Sequence, residues 1–186
     1  LGIAQALQRA GVRVGLADAD VVKPDLSELL HVGGSFGHVE VTGNAILPMH
    51  FSTRKGKLIV DPSSRELEFF SLGLYPEPER AILLEDKTAA GIAAELFTSV
   101  AWTCEVLVVD MPPQSHDMSR ALVDQFGWRD AFLVVATPRD APLLDAKRTL
   151  DLLHAAKKRV LGVALNMAYR DCPKCGHREA LGKGAA

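Results

Sequence analysis

Val-Leu-Val-Val-Asp-Met-Pro-Pro, at residues 106–113, is the clearest sign of the fold in this sequence. An unbroken apolar run of this kind is typical of a strand that is buried on both faces of a parallel sheet. Asp110 follows the run at once, and the two prolines after it cannot extend a strand because they carry no backbone N–H. We therefore predict a buried strand over residues 106–109 with a carboxylate at its end.

Four more apolar runs extend this interpretation along the chain. Between them lie segments whose apolar residues are spaced three and four apart, which is the helical period. Strands that alternate with amphipathic helices predict an α/β fold, in which one mainly parallel sheet is covered by helices on both faces, in three layers. The strand runs are residues 12–17, 67–72, 132–136 and 160–165, and the helical segments are residues 26–30, 88–100, 119–126 and 143–153.

The composition is that of an ordinary folded domain. The 186 residues are 48% apolar and 24% charged, and the net charge of −2 offers no basic excess for binding nucleic acid. No apolar run approaches the roughly 20 residues that span a bilayer, and the start does not resemble a secretory signal. Three cysteines are too few for a disulfide framework. We expect one domain over residues 1–186, in a reducing cytoplasmic compartment, with no nucleic acid or membrane as partner.

Both ends of the chain interrupt a pattern. Every third residue from Leu1 to Ala10 is apolar and Gly11 follows, as in the last turns of an amphipathic helix with a glycine stop. The last residues, 181–186, contain no closing helix or strand pattern. We therefore expect a sequence truncated on both sides.

Polar residues follow several of the predicted strands. Asp18 and Asp20 come after the first strand, Asp110 after the third and Asn166 after the last. Ligands of such sheets bind outside the carboxyl ends of the strands. Two carboxylates one residue apart can hold Mg²⁺ through water and orient an attacking water, although capping of the following helix explains them equally simply. Asn166 alone could form a turn or read an adenine edge.

A second chemical motif lies beyond the last strand. Residues 172–176 read Cys-Pro-Lys-Cys-Gly, a turn in which two thiolates can face one metal or cluster. One pair supplies two ligands, whereas a tetrahedral zinc site or a four-iron cluster needs four. His177, further sequence or a second subunit would have to complete the set, and a redox dithiol is another interpretation. Cys104 lies far upstream, and we expect it to be a plain buried residue.

The order of these motifs resembles a known family. Residues 15–20, 108–113, 162–167 and 172–176, in this order, look like the Mrp/ApbC-type iron–sulfur cluster carrier ATPases, which belong to the MinD/ParA-like class of phosphate-loop NTPases. The cysteine pair after Asn166-Met167 is the most specific part, because MinD and ParA relatives lack it.

The resemblance implies a homodimeric ATPase that carries a [4Fe–4S] cluster and passes it to apo iron–sulfur proteins. Cys172 and Cys175 from both subunits would then make four ligands. With ATP and Mg²⁺ as the other bound groups, Asp18 and Asp20 would match the magnesium and water-positioning acids of the family. Asp110 would match the later acid, and Asn166 the residue that reads adenine.

The sequence also departs from the family pattern. Residues 1–186 contain no Gly-rich phosphate loop, which in the family lies just before the helix at which this chain begins. Gln114 stands where the family has glycine, and its Cβ affects close approach of a phosphate. We therefore expect no ATP turnover by residues 1–186 alone. The rival hypotheses are a MinD/ParA-like positioning ATPase and a non-enzymatic zinc-binding module that uses both cysteines of the turn and His177.

Overall fold

The computed structural model describes residues 1–20, 24–32, 41–43, 45–54, 57–74, 86–112, 117–127 and 129–182. Its contacts divide the chain into two compact units, Leu1–Ser119 and Arg120–Ala186, and each is described by itself. Gln114, one of the departures from the family pattern, lies outside the described residues.

The first unit contains three helices, a 3₁₀ turn and seven strands within its described ranges. No helix in the described part of the chain is long and apolar enough to cross a membrane. The elements are α1 (Gly2–Arg9), β1 (Val14–Asp18), α2 (Leu26–Leu29), β2 (Val41–Thr42), β3 (Ala45–Ile46), β4 (Met49–Arg54), β5 (Lys57–Val60), β6 (Leu67–Phe70), the 3₁₀ turn (Leu72–Leu74), α3 (Asp86–Ser99) and β7 (Val106–Asp110).

Helix α1 ends where the sequence predicts. Gly11 has φ +83°, in the left-handed region that glycine enters without a Cβ penalty. Its N–H donates to the carbonyl of Gln8 at 2.9 Å, and the N–H of Val12 donates to the carbonyl of Leu7 at 3.1 Å. These two bonds form a Schellman motif, which satisfies carbonyls that the helix leaves open and turns the chain into β1.

Five strands of the first unit form a mixed sheet in the order β5-β4-β6-β1-β7. Strand β1 lies between β6 and β7 and is parallel to both, whereas β4 is antiparallel to β5 and β6. The short strands β2 and β3 pair separately as an antiparallel ribbon. The hairpin of β4 and β5 gives the sheet its antiparallel edge, so the fold is mainly parallel at its centre.

The core of this unit is built on β1, whose five residues are all buried. Apolar side chains of β1, β6 and β4 form one cluster with α1 and α2, and within it the rings of Phe51 and Phe69 meet edge to face at 6.1 Å. An edge-to-face pair of this kind adds about 0.5–1.5 kcal/mol beyond the area that it buries. Burial of the whole strand explains its unbroken apolar sequence, since no residue of it faces water.

The second unit holds the remaining elements, and helix α4 (Asp117–Gln125) leads into it. Strands β8 and β9 pair in parallel, and α5 packs on both. Lys158 donates its Nζ hydrogen to the carbonyl of Phe126 at 2.6 Å, and the rings of Phe126 and Phe132 meet edge to face at 5.6 Å. The elements are β8 (Ala131–Ala136), α5 (Asp140–Ala155), β9 (Arg159–Leu165), β10 (Tyr169–Asp171) and β11 (Arg178–Ala180).

All five strands predicted from apolar runs are present, each within two residues of its expected start. The expectation that they share one sheet is wrong for the described residues, because β1, β6 and β7 belong to the first sheet while β8 pairs with β9. The expected burial on both faces holds for β1 and β6, whereas the described residues of β7, β8 and β9 are partly exposed. An apolar run predicts a strand, but its pairing partner is chosen by long-range packing that the run does not encode. The expected single domain over residues 1–186 stays a prediction.

Gly15 marks the tightest point of the sheet. A Cβ placed on Gly15 would lie 2.7 Å from Sγ of Cys104, 2.8 Å from Cδ1 of Leu107 and 3.0 Å from Cε3 of Trp102. The loop before β7 therefore packs directly on the backbone of β1, and any larger residue at this position must push that loop away.

We predict that Gly15→Ala lowers the free energy of unfolding by about 1–3 kcal/mol, the usual cost of overpacking. Gly91→Ala in α3 is the matched control, because a Cβ there meets nothing within 4 Å and alanine favours a helix by about 1 kcal/mol. Urea unfolding of both variants measures the difference. Equal stability of Gly15→Ala and the parent protein would contradict the packing described here.

Candidate functional site

Two acidic residues meet at the carboxyl edge of the first sheet. Asp18 ends β1 and Asp110 ends β7, and the two are register partners in the parallel pair. The N–H of Ala19 donates to the carbonyl of Asp110 at 2.9 Å, so the pairing continues past both acids. The expectation that the acids and Asn166 share one edge is confirmed for Asp18 and Asp110; Asn166 follows β9 in the second unit, and its place at this edge stays a prediction.

Asp18 is buried and accepts three hydrogen bonds. Its Oδ2 accepts from the N–H of Leu26 at 3.2 Å and from Oγ of Ser71 at 3.3 Å, and its Oδ1 accepts from the N–H of Asp20 at 3.1 Å. The bond to Leu26 caps helix α2, whose own N-cap residue Asp25 makes no side-chain cap bond. The capping interpretation of this carboxylate is therefore confirmed, and the same bonds fix the loop that carries Asp20.

Burial raises the pKa of Asp18 to about 6, against the hydrogen bonds that act to lower it, and the charge of Asp110 adds to the rise. The pKa of Asp110 is also raised, chiefly because surrounding protein displaces part of its hydration even though the residue keeps an exposed surface. The carboxylates of Asp20 and Asp25 act in the same direction. Burial and neighbouring carboxylates thus disfavour the charged form of both acids, and a divalent cation would act in the opposite direction.

The start of helix α1 lies near the same edge. The backbone nitrogen of Leu1, at the start of the helix, lies within electrostatic reach of the Asp110 carboxyl group. The first turn of a helix points its free N–H groups and the positive end of its dipole outward. Among the described residues, Asp18, Asp20 and Asp110 do not converge as a direct three-ligand metal group, so a cation here would be held partly through water.

Asn166 lies in the second unit, in the turn after β9. Its backbone N–H donates to the carbonyl of Ala136 at 2.7 Å, and its Oδ1 accepts from the N–H of Met167 at 2.9 Å. Met167 has φ +55°, a conformation that a turn can impose on a residue other than glycine. The exposed Asn166 therefore forms a turn, and its expected contact with adenine stays a prediction.

Cys172 and Cys175 lie in the loop of a small antiparallel hairpin made by β10 and β11. The N–H of Cys172 donates to the carbonyl of His177 at 2.8 Å, and the N–H of Gly176 donates to the carbonyl of Cys172 at 2.9 Å. Gly176 adopts φ +71°, which closes the turn at low cost. The sequence identified the turn, but not the two exposed strands on either side of it.

The loop stabilises one of its sulfurs as a thiolate. The backbone N–H of Cys175 contributes most to lowering the pKa of Cys172, followed by the N–H of Lys174 and the thiol of Cys175. Cys172 is half-buried and Cys175 exposed, so a ligand has direct access to the pair. Thiolates are the form that binds metals, and backbone N–H groups aimed at the sulfurs are the surroundings that such ligands use.

Within the described ranges, no third His, Cys, Asp or Glu side chain joins the two cysteines to form a metal group. His177, the residue that a zinc module would need, contributes its carbonyl to the loop and is not such a third ligand. Cys104 differs from the pair, since burial and then the charge of Glu68 raise the pKa of its thiol. Half-buried and protonated, it behaves as a packing residue.

A family model identifies what this combination of motifs belongs to. The model, a ParA-class description named NUBPL iron-transfer P-loop NTPase, matches residues 1–186. The chain belongs to this family.

Curated relatives agree with the family. The chain is 32% identical over 180 residues to an iron-sulfur cluster carrier protein of Pseudomonas fragi, covering 96% of this chain and 58% of the relative. It is 30% identical over 188 residues to the protein of the same name in Haemophilus influenzae, covering all of this chain and 47% of the relative. The chain thus spans about half the length of the curated relatives it matches.

Solved structures support the fold. A nucleotide-binding protein from Archaeoglobus fulgidus, in complex with ADP, superimposes with a TM-score of 0.71 over 98% of this chain and 65% of its own, at 24% identity. The MinD cell division protein of Aquifex aeolicus gives a TM-score of 0.51 over 86% of this chain and 59% of its own, at 20% identity. The mainly parallel sheet with helices is therefore a phosphate-loop NTPase fold.

Two features near the sites were not singled out from the sequence. Ser71, fully buried, bonds the Asp18 carboxylate from the end of β6. Arg178 and Asp171 pair across the cysteine hairpin with contacts of 2.8 and 3.0 Å. Ser71 could have been found from the sequence, because it stands at the end of a predicted strand. Nothing in the sequence distinguishes Arg178 from other surface arginines.

We predict that the stability of Asp18→Asn relative to the parent protein increases as pH rises from about 4 to 7.5. The folded-state pKa of about 6 lies above the ordinary value near 4. The folded protein therefore binds this proton more tightly than the unfolded chain does. The stability gained from the neutral acid is fully present below pH about 4 and is lost as pH rises through about 6. The stability difference between variant and parent should grow by roughly 2–3 kcal/mol over this range, in urea unfolding with EDTA present.

Asp61→Asn serves as a control of opposite sign, because the Ser63 hydroxyl lowers the pKa of Asp61. The charged form of that acid supports the fold above pH about 4, so its replacement should cost stability at neutral pH and less in acid. A stability difference for Asp18→Asn that stays constant with pH would contradict the buried state of this carboxyl.

Proposed function

We propose that this chain is the nucleotide-binding part of an iron–sulfur cluster carrier ATPase. The observation that carries the proposal is the Cys172–Cys175 loop, which is open to a ligand and supplies two thiolate ligands without a third partner nearby among the described residues. The family and the named relatives support iron transfer as the context of this pair. The cluster is cargo for such a protein, rather than a resident cofactor.

The number of ligands favours a shared cluster. A [4Fe–4S] cluster is held by four thiolates, and each chain offers two in one loop. A homodimer with a two-fold axis would bring two identical loops face to face, which completes the set. A cluster held in this way lies near the surface of both subunits, where an apo iron–sulfur protein with free thiolates can accept it by ligand exchange.

The acid edge supports the nucleotide half of the proposal. The first turn of α1 lies near Asp110, and helix N-termini bind phosphate through free N–H groups. Asp18 and Asp110 would hold Mg²⁺ through its water shell, and their raised pKa values would fall as the cation binds. Asp20, held by its backbone bond to Asp18, would orient the attacking water, and Asn166 would contact adenine.

These assignments describe how hydrolysis would proceed. Asp20 would accept a hydrogen bond from the water that attacks the γ-phosphoryl group, and a cation held at the acid edge, together with helix N–H groups, would balance the charge on the transferred group. The cytoplasm is the proposed compartment, because its reducing conditions keep Cys172 and Cys175 as thiols. A positioning ATPase of the MinD class would leave the cysteine loop without a role.

We predict that the full-length protein, reconstituted anaerobically with iron and sulfide, holds about two irons per chain and is a dimer in solution. Cys172→Ser and Cys175→Ser should each abolish the cluster and leave the fold intact. Cys104→Ser is the matched control and should retain it. Iron analysis combined with mass measurement in solution checks this result. One zinc per monomer, lost when His177 is replaced by Ala, would favour the zinc module instead.

We also predict that residues 1–186 bind Mg-ATP poorly, because a phosphate loop supplies several N–H donors and a lysine that this sequence does not contain. A chain extended upstream by its own phosphate loop should bind ATP and lose about 100-fold or more of its turnover when Asp20 is changed to Asn. Asp124→Asn, on the exposed face of α4, should change little. Tight binding of Mg-ATP to residues 1–186 in calorimetry would overturn this assignment of the site.

A further inference from the structure

The hairpin that carries the cysteines has no apolar core of its own. All six residues of β10 and β11 are exposed, as is most of the loop between them. An isolated two-stranded hairpin is only marginally stable in water. Whatever keeps the two strands in register therefore also keeps Cys172 and Cys175 in the geometry of one ligand pair.

One side-chain pair lies at the base of the loop. Asp171 and Arg178 are register partners, and they are the last cross-strand pair before the loop begins. Nε of Arg178 lies 2.8 Å from Oδ1 of Asp171, and a terminal guanidinium nitrogen lies 3.0 Å from Oδ2. This is the parallel two-bond geometry in which a guanidinium and a carboxylate fix each other's orientation.

The guanidinium is held from a second side as well. Its carbon lies 5.6 Å from the centroid of the Tyr169 ring, within the range of a cation–π contact. Tyr169 and Asp171 are two residues apart on β10 and so share one face of the strand. Arg178 thus contacts both Tyr169 and Asp171 on that face. Directly after β10, the N–H of Cys172 donates to the carbonyl of His177.

We propose that Asp171 and Arg178 are positioning residues for the metal-binding cysteines, forming a clasp that holds the loop closed with both thiols available to one ligand. This inference rests on the proposed function, since it assumes that the pair binds metal. The clasp acts through the backbone: it holds the strand ends together, and the closed strand ends hold the bond between Cys172 and His177.

The attraction between the two side chains of the clasp is weak. The two side chains are 58% and 65% exposed, so water and salt screen their attraction. An exposed ion pair of good geometry shifts an equilibrium by up to about fivefold. A clasp of this strength favours the closed loop but still allows it to open, which suits a site from which the ligand must leave again.

A matched control lies one position along the same hairpin. Arg170 and Glu179 are also register partners and similarly exposed, but they meet through a single contact of 3.3 Å. As neighbours of Asp171 and Arg178 on each strand, they lie on the opposite face and one step further from the loop. Loss of a charge at Arg170 therefore reproduces the change in net charge without opening the clasp.

The test uses Co²⁺ alone as the probe, titrated anaerobically into the full-length apo-protein at low salt. The thiolate-to-cobalt charge-transfer band reports both affinity and, from its intensity per bound cobalt, the number of thiolate ligands. Arg178→Gln should weaken binding about three- to fivefold with the intensity at saturation unchanged, and Arg170→Gln should leave the affinity within about 1.5-fold.

A charge-swapped protein, Asp171→Arg with Arg178→Asp, separates the clasp from a simple loss of folding. It should recover at least half of the lost affinity, and hydrogen exchange at the N–H of Cys172 should be faster in Arg178→Gln than in the parent or the swapped protein. If the parent binds cobalt through both thiolates while Arg178→Gln shifts affinity less than twofold, if Arg170→Gln shifts it equally, or if the swap recovers nothing, the clasp is overturned. Failure of the parent protein to bind cobalt or a cluster would instead overturn the proposed function, and the exchange rates would still test the clasp.

Discussion

The parallel pairing of β1 with β7 is the constraint on which the first unit depends. It brings Asp18 and Asp110 into register at one edge of the sheet, and it brings the loop before β7 onto the backbone of Gly15. Because β1 is buried along its whole length, neither its register nor its sequence can change without exposing apolar surface. The carboxylate of Asp18 at its end therefore has a fixed position, in which it accepts hydrogen bonds from Ser71 and from the first residue of α2.

The two candidate sites rely on opposite physical conditions. At the acid edge, burial and the closeness of like charges raise the pKa of Asp18 and of Asp110, so the folded protein disfavours the charged form of both carboxyl groups. At the cysteine loop, backbone N–H groups already favour the thiolate of Cys172 in an exposed position. The first site is prepared by rigid packing, the second by local backbone bonds with little packing around them.

The sequence predicted which segments form strands better than it predicted which strands pair with each other. The strands that lead to Asp18, Asp110 and Asn166 were recognisable from their apolar runs, and the stop at Gly11 because a left-handed residue is needed there. Of these strands β1 is buried along its whole length, whereas the described residues of β7 and β9 are half-buried or exposed. The separate pairing of β8 with β9 was not predicted, since apolar runs carry no information about which neighbour they pair with. The hairpin strands around the cysteines were missed for another reason: Tyr169, Arg170 and Asp171 are all exposed, so burial imposes no pattern on them.

The exposure of that hairpin also has an evolutionary consequence. Substitutions around Cys172 and Cys175 leave no cavity and strand no buried polar group, and surface changes of this kind usually alter stability by less than about 0.5 kcal/mol. Substitutions in β1 are under the opposite pressure, because each of its residues is enclosed. The exposed loop therefore tolerates changes of charge and shape at little cost in folding stability, whereas the enclosed strand beneath the acid edge does not.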